Sequence, residues 1–383
     1  MRKFLFGAVL VLVLLLTGCD SKEQVKQETT EIFHGVTISP SGALVFDGYT
    51  YLHFYSSETD GWVYLCNRPG CLHSDGSCGA FWGPNFAHAF FYNGSLYVLQ
   101  AAGGAQGGRL IRANRYGEER QEIGTLESFP YQSTFMQIVG SDLYCITDIW
   151  SDDESGTERA LCRINLENGD CDRIPQPDTG YLAESFLDYA VTDDYLYYLY
   201  LASDIDINDF FDQDTGEFTD ASWKDINYAT QLYRMNRKTE EFELLLERTT
   251  VGNISHTIDL LQIEDEKLLL VLEDQVVEYD PDTGETTFLL DMTTVVSDDW
   301  LNMKQVGEMW IVNMTNGQLV LLKDWKEVAR FSGPGEAYYQ ALGMCDETVY
   351  FVGNGLCYIN YENLVNGDYT IRVVDDYPVR SIN

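Results

Sequence analysis

Residues 265–290 read DEKLLLVLEDQVVEYDPDTGETTFLL, and this stretch decides the fold. It opens on the turn pair Asp265-Glu266, continues as an apolar run, and passes into a second alternating pair of runs around the polar turn DPDTGE. Alternation with a period of two marks a half-buried strand, and Asp, Gly and Thr at the breaks are turn chemistry. The unit recurs along the chain. Turns at Asp47-Gly48, Asn93-Gly94, Ser141-Asp142, Asp193-Asp194, Val306-Gly307 and Asp346-Glu347 precede runs such as YTYLHF, SLYVLQ, LYCITD, YLYYLYL, EMWIVNM and TVYFVGN. A second hairpin follows, as in LCRINLENGDCDRI, QLYRMNRKTEEFELLL and LVLLKDWKEVARF. Two hairpins make a four-stranded blade that is apolar on both faces and can bury neither alone, so blades must stack around an axis until the ring closes.

The expectation is therefore an all-β β-propeller of seven four-stranded blades, at about residues 43–78, 89–126, 135–175, 187–247, 257–291, 301–333 and 338–376. GVTISP (35–40) near the start, with TIRVVDD (370–376) or YPVRSIN (377–383) at the finish, are candidates to complete one shared closing sheet. A chain of 383 residues would ordinarily suggest two or three domains, but one propeller takes about that length. The 25 Tyr, 19 Phe and 7 Trp suit aromatic strands packing between blades.

Charge narrows the partners. Lys and Arg number 24 against 61 Asp and Glu, a net charge of -37. Such a body repels phosphate backbones, which excludes nucleic acid as a partner; the acidity fits solubility on a crowded outer surface or attraction of cations or basic peptides, and a protein, peptide or glycan ligand of a monomer stays open.

The N-terminus carries an address. In MRKFLFGAVLVLVLLLTGC, Arg2 and Lys3 precede an apolar run from Phe4 to Leu16, then Thr17, Gly18 and Cys19. The run is too short and too early for an ordinary spanning helix. It resembles the signal peptide of bacterial lipoproteins. That resemblance implies cleavage after residue 18 and a diacylglycerol on the Cys19 thiol, whose two acyl chains are enough to hold a protein stably on the extracytoplasmic face of the cell membrane. Residues 19–34 then read as the lipidated cysteine and a polar tether, with the propeller over 35–383.

An acidic insertion lies at about residues 203–229 in the fourth repeat. Asp204, Asp206 and Asn208 match the first three ligand positions of an EF-hand loop, but Asp209 stands where the turn glycine belongs and Thr215 where the bidentate glutamate belongs. Asp212 and Asp214 keep open a cation site of another kind, beside the plainer account of a solvated loop.

One constellation does not read as propeller filler. Cys66, Cys71, His73 and Cys78 are spaced C-x4-C-x-H-x4-C just after the strand GWVYL. The turn Pro69-Gly70 can bring Cys66 back toward Cys71, and three thiols with an imidazole can surround a tetrahedral ion such as zinc. A disulfide between two of the three cysteines, or unpaired thiols, are the competing accounts. The segment YLCNRPGCLHSDGSCGAFW, with the N-terminal LTGC and the repeated (D/N)GxLY turns, resembles uncharacterised lipoproteins of Gram-positive bacteria that carry a propeller domain of unknown function likened to lipoprotein-receptor propellers. The resemblance implies architecture and location, and no activity comes with it.

Cys145, Cys162, Cys171, Cys345 and Cys357 fall in predicted strands. Cys145 with Cys162, and Cys162 with Cys171, can face one another across hairpins, and buried free thiols fit as well. The five histidines, His34, His53, His73, His88 and His256, fall in no nucleophile-elbow, H-E-x-x-H, Walker or GxGxxG pattern. The function expected is a non-enzymatic binding or scaffold module. The alternative is a glycan- or peptide-directed hydrolase or lyase using carboxylates at the propeller axis.

Overall fold

The computed structural model describes residues 29–374 apart from 31, 34–35, 40–41, 48–49, 57–60, 74–75, 86, 103–106, 131–135, 151–156, 206–225, 253–257, 297–299, 334–338, 346 and 354–355. Seven antiparallel sheets form the ring, each built on four strands joined in chain order, and two of them carry a fifth. Blade 1 is Val36–Ser39, Gly42–Asp47, Tyr51–Ser56 and Gly61–Tyr64; blade 2 is Ala87–Tyr92, Ser95–Ala101, Gly108–Ala113 and Gln121–Leu126. Blade 3 is Met136–Val139, Asp142–Trp150, Thr157–Asn165 and Cys171–Arg173; blade 4 is Ala183–Val191, Tyr195–Ser203, Asn227–Asn236 and Phe242–Val251. Blade 5 is Ile258–Glu264, Lys267–Leu272, Gln275–Tyr279 and Thr286–Asp291; blade 6 is Trp300–Val306, Met309–Met314, Gln318–Lys323 and Lys326–Ser332. Blade 7 is Gln340–Cys345, Thr348–Val352, Leu356–Asn360 and Arg372–Val373, with a short helix, Tyr361–Val365, before its last strand.

Burial follows position within a blade. Second strands are covered on both faces, as all of Met309–Met314 and Thr348–Val352 show, whereas the outer strand Phe242–Val251 is largely exposed. A strand flanked by a blade on each side has no solvent face, so its sequence reads as a continuous apolar run. Among the described residues, seven clusters of buried side chains lie one between each pair of neighbouring blades, and a small further one, Ile226 with Tyr228, lies within blade 4. The seventh joins Ala43, Val45 and Tyr55 of blade 1 to Tyr350, Leu356 and Tyr358 of blade 7, and it closes the ring. Each such aliphatic or aromatic side chain contributes about 1.5–3 kcal/mol on burial, so the interfaces carry the stability.

Buried amides tie the blades further. Gln137 on blade 3 donates to the Val191 carbonyl of blade 4 at 2.8 Å and accepts from the Val191 N–H at 2.9 Å. Asn313 on blade 6 accepts from the Ala341 N–H of blade 7 at 3.0 Å. The turn between third and fourth strands is also repeated. Asn114, Asn165, Asn236 and Asp280 each accept two hydrogen bonds from backbone N–H groups further into the turn, in blades 2 to 5. The polar turn DPDTGE is thus hairpin chemistry.

Three expectations change. Asp47-Gly48 joins the second and third strands of blade 1, whereas the other six turns join first and second strands. The true first strand is Val36–Ser39, so blade 1 begins before residue 43, and residues 66–78 lie beyond its last strand. A good turn marks a hairpin without saying which hairpin of the blade it is. Second, GVTISP and TIRVVDD do not share a sheet: Val36–Ser39 belongs to blade 1 and Arg372–Val373 to blade 7, so the described closure is face packing between blades. YPVRSIN lies outside the described residues. Third, strand pairing begins at Thr29, inside the stretch read as tether. Thr29–Thr30 pairs with the first strand of blade 3 and Ile32–Phe33 with the first strand of blade 1. Both additions lie on the inner edge of their sheets, so the segment arrives at the ring's axis.

Candidate functional site

The Cys/His constellation sits on a loop that leaves the outer strand of blade 1 and returns to the same blade. Leu65 N–H donates to the Leu52 carbonyl at 3.0 Å, Leu52 N–H to the Ala80 carbonyl at 2.8 Å, and Trp82 N–H to the Thr50 carbonyl at 2.7 Å. Both ends are therefore fixed on the strand Tyr51–Ser56 before any contact within the loop is counted. Inside it, Cys71 N–H donates to the Arg68 carbonyl at 3.2 Å, closing the turn at Pro69-Gly70 that the sequence suggested.

The four predicted residues converge. One donor atom from each of Cys66, Cys71, His73 and Cys78 lies within 4.8 Å of every other. His73 Nδ1 is 3.2 Å from Cys78 Sγ. The His73 ring stacks on Tyr64, with centroids 4.2 Å apart and planes at 16°, which fixes the imidazole's direction. Its backbone is left-handed, φ 50°, a conformation that costs a non-glycine residue about 1 kcal/mol. Cys78 is buried and the other three are half-buried. None of the three thiols is in a disulfide.

Backbone N–H groups point at the sulfurs. Ala80 N–H donates to Cys78 Sγ at 3.4 Å. Burial pushes the Cys66 thiol up, but backbone hydrogen bonds from Arg68 and Gly79, joined by Cys78 and Cys71, carry it below its ordinary value. For Cys78 burial dominates, and the thiol is pushed up to about 11.

The loop also reaches blade 2. Arg68 Nε donates to Glu118 Oε1 at 2.8 Å, and Arg120 Nη2 donates to the Gly79 carbonyl at 2.7 Å while its guanidinium stands 3.8 Å over the Trp82 ring. Gly79 and Gly117 touch through their backbones: a Cβ on Gly117 would lie 2.2 Å from the Gly79 carbonyl oxygen. Beside the loop an apolar groove of about 480 Å³ is lined by Tyr64, Cys66, Phe91, Tyr92 and Tyr116 among others.

The second concave region is at the axis. First strands of blades 3 to 7 surround a cavity of about 630 Å³ whose lining includes Gln137, Asp188, Asp259, Gln262, Trp300 and Lys304. Asp188 and Asp259 are axial carboxylates of the kind the alternative reading needs. No feature of the sequence singled them out, because each is one acid among 61 until the ring brings it to the axis.

Of the remaining predicted site residues, only Asp204 is among the described residues. Asp204 accepts hydrogen bonds from the backbone and the side-chain amide of Asn227, fastening the base of the insertion. Asp206, Asn208, Asp212 and Asp214 lie outside the described residues, as does Cys19. In blade 3, Cys145 and Cys162 are register partners on adjacent strands, and Cys171 on the next strand is opposite Ile164.

No family model matches the chain, and no curated protein matches it. Among solved structures, it is similar to one from a structural and mechanistic study of two prolyl endopeptidases, at a TM-score of 0.55 and 11% identity over 91% of this chain and 51% of that one. The chain thus spans about half that protein's length. Acylaminoacyl peptidase of Pyrococcus horikoshii (TM-score 0.43, 9% identity, 75% of this chain and 46% of that one) and BamB from Moraxella catarrhalis (TM-score 0.39, 11% identity, 84% and 96%) are further matches. At these identities the first likeness supports the propeller fold and says nothing of chemistry, and the other two are too distant to add to it.

Proposed function

We propose that the protein is a lipid-anchored, extracytoplasmic binding module that takes a peptide or glycan segment at its axis. The axial cavity carries the reading. A lining of side-chain amides, two carboxylates, a lysine and two indoles suits a ligand offering many hydrogen-bonding groups and an apolar face. The resemblance of residues 1–19 to a lipoprotein signal peptide supports the location, and an anchor on Cys19 would lead into the ring at the axis, since Thr29 is paired there.

The reading is tested by thermal shift and calorimetry with peptides and oligosaccharides, comparing the native chain with Asp259→Asn and Gln262→Ala. Binding that weakens tenfold or more in either variant, without consumption of the ligand, is the expected result. Ligand turnover abolished by Asp188→Asn or Asp259→Asn would instead establish the hydrolase or lyase, which the presence of both carboxylates in the cavity keeps in contention. For the address, Cys19→Ala is expected to abolish lipid labelling and membrane fractionation; membrane retention of the unlabelled variant would overturn it.

A further inference from the structure

We infer that Cys66, Cys71, His73 and Cys78 bind a single zinc ion, a closed structural site that clips the loop of blade 1 onto blade 2. This site is separate from the axial cavity and does not depend on what binds there.

The donor set fits the ion. With zinc–sulfur bonds near 2.3 Å, a tetrahedron places its sulfurs about 3.8 Å apart, and all four donor atoms here lie within 4.8 Å of one another. Three borderline-soft thiolates with one imidazole form a known structural donor set, and four protein ligands leave no open position for catalysis. A disulfide would use two of the four groups and leave a thiol and an imidazole crowded against it without a task. The imidazole's placement argues the same way: its backbone is held left-handed, its ring is pinned on Tyr64, and its Nδ1 is turned to Cys78 Sγ.

The surroundings supply what zinc thiolates need. N–H groups of Arg68 and Gly79 face Cys66, and that of Ala80 faces Cys78. Such donors disperse the charge that deprotonated thiols bring. The loop ends are already paired on Thr50 and Leu52, so the ion organises only the apex. The loop carries Arg68 near its apex and Gly79 beside its anchored end, next to the ligand Cys78, and these two residues meet Glu118, Arg120 and Gly117 of blade 2. Binding releases thiol protons as the sulfurs coordinate, so affinity must fall on acidification.

The test uses the full chain, reduced and given zinc at micromolar concentration. Elemental analysis should find about one zinc per chain, and zinc should protect three thiols from alkylation that chelator exposes. Cobalt in its place should show the ligand-field bands of a tetrahedral site and a thiolate charge-transfer band. Cys71→Ser and His73→Ala should each weaken zinc binding tenfold or more in competition with a chromophoric chelator. The alkylation measurement needs no variant and stands if a substitution fails to fold. Failure to retain zinc at micromolar concentration, octahedral cobalt spectra, or a disulfide between any two of Cys66, Cys71 and Cys78 in the chain as isolated would each overturn the inference.

Discussion

Two regions of the molecule gather three cysteines each, and they differ in what the backbone does with them. In blade 3, Cys145, Cys162 and Cys171 lie on three successive strands within the core between blades 2 and 3. Strand spacing of about 4.8 Å sets such groups in a row, which packs well but cannot wrap around a point. Burial holds Cys145 far above its ordinary value, and a hydrogen bond to Cys162 followed by burial does the same for Cys171. At Cys66–Cys78 the chain turns at Pro69-Gly70 and takes a left-handed backbone at His73, and the donors converge. A sheet presents thiols as packing, and a loop can present them as ligands.

If the row belongs to the ring and the loop to its rim, perturbing the ring should have the larger effect. Deleting residues 370–383 removes Ile371 and Val374, which belong to the clusters on either side of blade 7, and the last strand of that blade. The melting temperature by circular dichroism is expected to fall by more than about 10 °C, because opening the ring exposes two blade faces at once. An unchanged melt would show that the ring closes without this strand.

The interface between blades 2 and 3 also holds His88, stacked on Phe129 and bonded through Nε2 to the Pro130 carbonyl at 3.0 Å. Burial lowers its pKa to about 4. The folded state keeps the ring neutral while the unfolded state protonates near 6.5, so stability is fully present above 6.5 and is lost as pH falls toward 4, by up to about 3 kcal/mol. Denaturant titrations between pH 4 and 7 should show this slope, and His88→Gln should flatten it. An equal slope in the variant would assign acid sensitivity elsewhere.

Cys145→Ser puts a hydroxyl into the same core and is expected to cost about 1–3 kcal/mol, with metal content untouched. Coupling between that substitution and zinc content would erase the distinction between the two regions. Chelation, by contrast, should leave the ring's melting transition within a few degrees while hydrogen exchange accelerates across residues 65–82. Global unfolding on chelation would mean that the loop is part of the core. Arg68→Ala, which removes only a half-exposed ion pair to Glu118, should leave the melting temperature unchanged within error and loosen the loop alone.

Much of this was legible in the chain. The period of two, the turns and the paired hairpins specify strands and their number, since alternation and turn chemistry act over a few residues. Cys66, Cys71, His73 and Cys78 stand out because no strand needs them at that spacing. Illegible were the strand to which Asp47-Gly48 belongs, the inner-edge pairing of Thr29–Thr30, and the inter-blade amide of Gln137, each of which depends on a partner far along the chain.

By itself, then, the sequence determined the seven-fold repetition, the strong negative charge and the presence of a soft-donor cluster, because period, charge and composition are local or additive quantities. Only the tertiary structure decided that blade 7 meets blade 1 by its face, that Asp188 and Asp259 reach one axial cavity, and that four donors lie within 4.8 Å of one another. The physical reason is that these depend on where separate strands and turns lie in space, which ring closure and loop anchoring fix together and no single segment encodes.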